Sequence, residues 1–207
     1  MDGFQNRKSD AKSIEDFPTP HWATRAFMAH ILEPDMSEFT CWEPCANRGY
    51  MVDVLRESFG TVVGSDIQDY GAGFPVIDFL TGPTPMDHGM QVDYIITNPP
   101  FNKSIEFYER WLDMDVRRMY LFLRTNWLEG VARYNKVFNG GKLTTVIQYA
   151  ERVPIVQGRL DKKAVTQMPY AWFAFDKEKS KYQQTRVNWI PPCRKEYERD
   201  TDWPEEL

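Results

Sequence analysis

The chain has 207 residues, 42% hydrophobic and 27% charged, with a formal net charge of −5, a composition that suits one globular domain long enough to bury a core. No stretch approaches the roughly 20 apolar residues needed to cross a bilayer, the opening MDGFQNRKSDAKSIED lacks an apolar secretory segment, and three cysteines, Cys41, Cys45 and Cys193, cannot build a disulfide framework, so a reducing cytoplasmic setting without a membrane partner is expected. The acidic balance excludes a polyanionic partner only on average: residues 101–170 carry 12 Lys and Arg against 7 Asp and Glu, the pattern of a local phosphate-contacting face.

Residues 1–15 read as a loose tail, 16–190 as one domain, and 191–207 as a charged, proline-bearing tail. Thr19 is placed to cap and Pro20 to open a helix over HWATRAFMAHIL. A short strand is predicted over 39–43, running through Glu43-Pro44-Cys45-Ala46-Asn47-Arg48-Gly49 into a helix over 50–59. A second strand over 61–65 ends at Asp66, a short third over 74–77 ends at Asp78, and a fourth over 93–97 runs into Asn98-Pro99-Pro100-Phe101. A helix over 104–114, a strand over 118–123, a helix over 127–138 and strands over 144–149 and 170–175 complete the pattern.

Strand, loop and helix in alternation imply an α/β fold of the Rossmann-like kind, a mostly parallel sheet with helices on both faces. Ligands bind such sheets at the carboxyl ends of the strands, and Glu43, Asp66, Asp78 and Asn98 all fall there. The small residues of the first loop allow close backbone approach, and helix N-terminal amides can meet a carboxylate. Asp66 is placed for ribose hydroxyls and Asp78 for an adenine amino group, with Ile67, Tyr70 and Phe79 enclosing the ring. These features fit an adenosine ligand without separating a nicotinamide cofactor from S-adenosylmethionine.

The fourth strand end separates them. An exocyclic amine is a poor nucleophile because its lone pair is delocalised into the ring. The Asn98 amide oxygen and the Pro99 carbonyl can accept both of its protons, the prolines fix the backbone, and Phe101 can stack on an extruded base. Cys41 and Cys45 have a metal-like spacing, but no second pair completes a site, and His21, His30 and His88 are scattered, so no metal is expected. Pro192-Cys193 lies beyond the last predicted strand and reads as incidental. Arg117 and Arg118 read as a solvated edge, and Arg124 lies close enough to a strand end to reach a phosphate.

The chain resembles the amino-methylating class I DNA methyltransferases, and among them the small phage-type adenine-N6 enzymes. FPTP at 17–20, EPCANRG at 43–49, SDI at 65–67, IDFL at 77–80 and NPPF at 98–101 carry the likeness, with LFLRTNWLEGVAR at 121–133 and YAWFAFDK at 170–177. It spans about residues 16–177, and its NPPF motif is specific for amino methylation rather than for DNA. The resemblance implies a seven-stranded sheet with one antiparallel strand and S-adenosylmethionine as cofactor. Phe17, Thr19 and Pro20 would border its methionine part, Glu43 and the Ala46–Gly49 backbone its amino-acid end, Asp66 its ribose and Asp78 its adenine, with Asn98 to Phe101 catalytic. Asn47 stands where the family usually has glycine, and Asn tolerates a positive φ better than most residues. With no separate recognition domain evident, specificity would rest on residues 126–170. DNA is the expected partner. RNA adenine, guanine N2 or a protein glutamine amide stay open as substrates, as do a non-catalytic nucleic-acid-binding role and a monomeric or homodimeric state.

Overall fold

The computed structural model describes residues 15–32 and 35–203; most of the segment read as an N-terminal tail lies outside the described residues. Seven strands form one sheet: β1 (Met36–Glu43), β2 (Phe59–Gly64), β3 (Tyr94–Thr97), β4 (Arg118–Arg124), β5 (Leu143–Tyr149), β6 (Tyr170–Asp176) and β7 (Arg186–Ile190). Their order is β2-β1-β3-β4-β6-β5-β7. All pairings are parallel except those of β6 with β4 and with β5. The carboxyl ends of β1, β2, β3, β4 and β5 therefore share one edge with the first residue of β6.

Helix α1 (His21–Ile31) precedes the sheet, α2 (Tyr50–Leu55) links β1 to β2, and α3 (Ser104–Leu112) links β3 to β4. The central strands are apolar on both faces, as strands covered on both sides must be. On one face Trp22, Ala26 and Phe27 of α1 pack with Tyr120, Phe122 and Trp172, and Phe27 stacks on Trp172 with ring centroids 4.3 Å apart. On the other face Phe107, Tyr108 and Trp111, spaced to share one side of α3, pack with Leu121, Phe173 and Phe175. Tyr120 and Phe122 belong to the first cluster and Leu121 and Leu123 to the second, the alternation a strand imposes.

The strand count matches the expectation by a different route. The predicted strand over 74–77 is reduced to a single bridge between Asp66 and Val76, and the seventh strand is β7, paired with β5 at the far edge. The helix expected over 127–138 is broken. A 3-10 turn at Thr125–Leu128 ends before Gly130, whose φ of 119° interrupts the helix, and only α4 (Val131–Lys136) is α-helical. The helix expected over 50–59 stops at Leu55, because β2 begins at Phe59.

The segment read as a C-terminal tail packs down as far as it is described. It forms α5 (Arg194–Tyr197) and a turn at Asp200–Asp202. Asp202 is buried and pairs with Arg25 of α1 at 2.7 Å, and Trp203 lies against the first core cluster. Residues 204–207 of that segment lie outside the described residues. No described helix is long and apolar enough to cross a membrane.

Candidate functional site

A cleft opens at the carboxyl ends of β1, β2 and β3, lined by Phe17, Thr19, Glu43, Ala46, Asn47, Asp66, Ile67, Tyr70 and the whole of Asn98–Phe101. Eleven of the residues singled out as site candidates, and Tyr70 named with them, thus meet in one cavity. Glu15, Pro18, Cys45, Tyr50 and Met51 also line it; Pro18 and Cys45 lie within FPTP and EPCANRG without being singled out as site residues, and Glu15, Tyr50 and Met51 belong to no motif.

Five candidates sit elsewhere. Pro20 is the residue before α1, with extended backbone. Pro44 is buried behind the loop. Gly49 caps α2 at a φ of 93°, with the Phe74 ring close behind its Cα. Asp78 turns inward on its own loop, one oxygen accepting from the Leu80 N–H at 2.9 Å and the other from the Thr81 hydroxyl at 2.8 Å. Phe79 is a core residue, stacked on Phe107 at 4.4 Å.

Glu43, at the end of β1, is 1% exposed. Its Oε1 accepts from the Thr97 hydroxyl and the Cys45 N–H, while its Oε2 is buried without a partner among the described residues. Burial pushes this carboxyl up to about 8, against the stabilising hydrogen bonds from Thr97 and Cys45. Asp66, just beyond β2, is also raised by burial, offset by the N–H groups of Gln68 and Asn47. An orphaned carboxylate oxygen in a closed site is a costly feature and marks where a cationic or hydrogen-donating ligand would be held.

The loop between them turns on Asn47, the one non-glycine residue at positive φ among those described, at 51°. Asn reaches this left-handed region at lower cost than most residues, and its N–H donates to Asp66 at 2.9 Å. Its side chain accepts from the Arg48 N–H and donates to Asp16 at 2.8 Å. Asp16 also takes a two-pronged ion pair from Arg48, with both N–O distances 3.0 Å, and Arg48 lies over the Tyr70 ring.

Thr19 does not cap α1. Its hydroxyl and the Phe17 carbonyl instead accept from the Asn98 side-chain amide, at 3.0 and 2.8 Å. Because the Phe17 carbonyl can only accept, the amide orientation is fixed by its partners: the NH2 group faces residues 17–19 and Oδ1 points away from them. Neither Asn98 Oδ1 nor the Pro99 carbonyl accepts a hydrogen bond among the described residues. The Phe101 N–H donates to Glu15, and the Phe101 ring lies 5.6 Å from Phe17 and 6.0 Å from Tyr170.

Residues 15–19 are therefore a strap touching every part of the cleft: Glu15 and Phe17 reach the NPPF turn, Asp16 the Asn47 loop, and Thr19 the Asn98 amide. The Asp16 carbonyl accepts from Gly158 at 2.9 Å, which brings the 150–169 loop to the same rim. Cys41 and Cys193 are buried and Cys45 is partly so. No three His, Cys, Asp or Glu side chains among the described residues gather as a metal site would need.

No family model matches the sequence, and no curated protein does. Solved structures do. The methyltransferase subunit of a type I restriction-modification system from Streptococcus thermophilus superposes with a TM-score of 0.58 at 15% identity, over 93% of this chain and 50% of that one. A protein assigned as a type I restriction modification subunit from Vibrio vulnificus gives 0.52 at 16% identity, over 94% and 51%. One assigned as an RNA methyltransferase from Pyrococcus horikoshii gives 0.55 at 15%, over 85% and 93%. The chain spans about half the length of the first two. At these identities the likeness is one of fold, and the fold is the Rossmann-like one of these methyltransferases.

Proposed function

We propose that the chain is an S-adenosylmethionine-dependent methyltransferase acting on the exocyclic N6 amino group of adenine in DNA. One observation carries the reading: both protons of the Asn98 amide are taken up by Phe17 and Thr19, which leaves Oδ1 as a fixed acceptor beside the unused Pro99 carbonyl.

Two fixed acceptors suit an aromatic amine. Each can hold one N–H, which draws the nitrogen lone pair out of conjugation and toward an electrophile. Because the acceptors are set before the substrate arrives, little reorganisation is needed during reaction. The residues present also fit the cofactor. The orphaned Glu43 Oε2 suits its ammonium group, Asp66 at the strand end suits its ribose, and Ile67 and Tyr70 line the cleft where an adenine ring would lie. When bound, the cofactor supplies an electrophilic methyl group, so the chain needs no side-chain nucleophile. Deprotonation of the methylated amine follows through the same two oxygens or to water.

The test is transfer of label from radiolabelled S-adenosylmethionine to duplex DNA, single-stranded DNA, RNA and a protein extract, followed by digestion and identification of the labelled residue. Label in N6-methyldeoxyadenosine is expected. Asn98→Ala should lower turnover by about two to three orders of magnitude, the scale of losing one preorganised polar group, with cofactor affinity largely kept. Label confined to RNA or protein would overturn the substrate, and unchanged turnover in Asn98→Ala would overturn the mechanism.

A further inference from the structure

Arg124 ends β4 on the same edge as the NPPF turn, opposite Tyr170 in the sheet register. Its guanidinium lies over the Phe101 ring, 4.6 Å from the centroid, and next to the Tyr170 hydroxyl. Its Nε is buried with no hydrogen-bond partner among the described residues. Three cations of this rim and its loop are paired, Arg48 with Asp16, Arg159 with Asp161 and Lys162 with Asp200; Arg152 donates to the Gln167 carbonyl. Arg124 forms no ion pair among the described residues. Glu15, which accepts from the Phe101 N–H, is near enough to act on Tyr170 but forms no ion pair with Arg124.

A cation held in place yet left without a counter-ion beside a reaction centre is a prepared anion site. Its place over the Phe101 ring restrains the guanidinium, and its two terminal nitrogens can offer paired N–H donors to two oxygens of one phosphate. The next residue anchors the arrangement: the Thr125 N–H donates to the Pro169 carbonyl at 2.9 Å, tying the end of β4 to the end of the 150–169 loop. The excess of basic residues seen in the sequence over 101–170 is thus split by the fold. Arg117 and Arg118 lie at the opposite end of β4, paired with Asp176, whereas Arg124, Arg152 and Lys163 belong to the cleft edge and its loop.

We infer that Arg124 is a phosphodiester-binding residue, gripping the DNA backbone next to the nucleotide whose base enters the cleft, with Phe101 as its platform. The inference rests on the reading of the cleft as a DNA-modifying site. A base stacked on Phe101 would then occupy the face turned away from Arg124.

The experiment compares wild type, Arg124→Gln and Arg124→Lys in binding to a duplex DNA oligonucleotide across a salt series, by fluorescence anisotropy. Cofactor binding is measured alongside by equilibrium dialysis. Arg124→Gln should weaken DNA binding about tenfold at low salt and flatten the slope of log affinity against log salt by about one. Arg124→Lys should restore the slope but not the full affinity, since it keeps the charge and loses the fork. Cofactor affinity should be unchanged in both, which also shows that they fold. An unaltered affinity and slope in Arg124→Gln, with methyl transfer to DNA intact in the wild type, would overturn this inference alone. A wild type that neither binds nor methylates nucleic acid would overturn the underlying reading as well.

Discussion

The titration of Glu43 links the sheet to the cofactor proposed for the cleft. Buried and raised to about 8 from an ordinary 4.5, this carboxyl keeps its proton in the folded chain over a range where the unfolded chain has lost it. Folded protein then binds more protons than unfolded, so stability falls as pH rises between these two values and levels off above the upper one. A ligand ammonium at Oε2 favours the ionised form, so binding expels the proton. Affinity for S-adenosylmethionine should therefore rise between about pH 6 and 8, by up to about tenfold per unit. Calorimetry in two buffers of different ionisation enthalpy should register the released proton. Glu43→Gln should remove both the proton release and the stability slope, and a flat affinity profile in the wild type would exclude Glu43 as the cation's partner. At this scale the sequence was only half legible. Asn98 and Pro99 are adjacent, so their two acceptors can be read from the motif. The clamp that orients Asn98 joins residues 81 and 79 positions apart, and local pattern carries no trace of it.

Among the elements, the strap over 15–19 and the Asn47 turn act together. Asn47 does more than stand in for glycine, since its side chain is bonded to Asp16 and Arg48. Asn47→Gly preserves the positive φ and removes both contacts. Global stability should change by about 1 kcal/mol or less, while amide exchange at residues 15–19 should quicken by about tenfold or more, as local opening is no longer held by that clasp. Unchanged exchange in the strap would show that Arg48 and Asp16 hold it unaided. Strands β3 and β4 were legible because burial on both faces writes nearly unbroken apolar runs. β7 was not: four of its five residues are exposed, so Arg186-Val187-Asn188-Trp189-Ile190 lacks the run that marked the others. The stretch over 74–77 has apolar residues but, with glycines at 71 and 73 before it, makes a single bridge instead of a strand.

For the molecule as a whole, closure depends on the C-terminal segment lying across α1. Arg25 meets Asp202 at 2.7 Å and Glu57 at 2.9 Å, and Arg199 reaches the same Glu57 at 2.8 Å. Composition made 191–207 look like a tail because its charges are dense, yet those charges are the fastening. Asp202→Ala removes the buried partner of Arg25 and leaves it Glu57 and the Tyr197 carbonyl, so it should cost about 2 kcal/mol, read from urea unfolding, whereas Asp200→Ala, at an exposed position, should cost well under 1 kcal/mol. Equal losses would mean the segment is not held by its buried pair.

The reversed direction of β6 has its own outcome. The twenty or so positions between β5 and β6 leave the sheet and re-enter it on one edge, through strands already zipped together. The first half of that span is anchored, with Val153 and Ile155 in the first core cluster and the Gly158 N–H on the Asp16 carbonyl, whereas most of residues 162–168 are exposed. The exposed half can thus diversify the surface an incoming molecule meets while the anchored half holds the strap against the cleft.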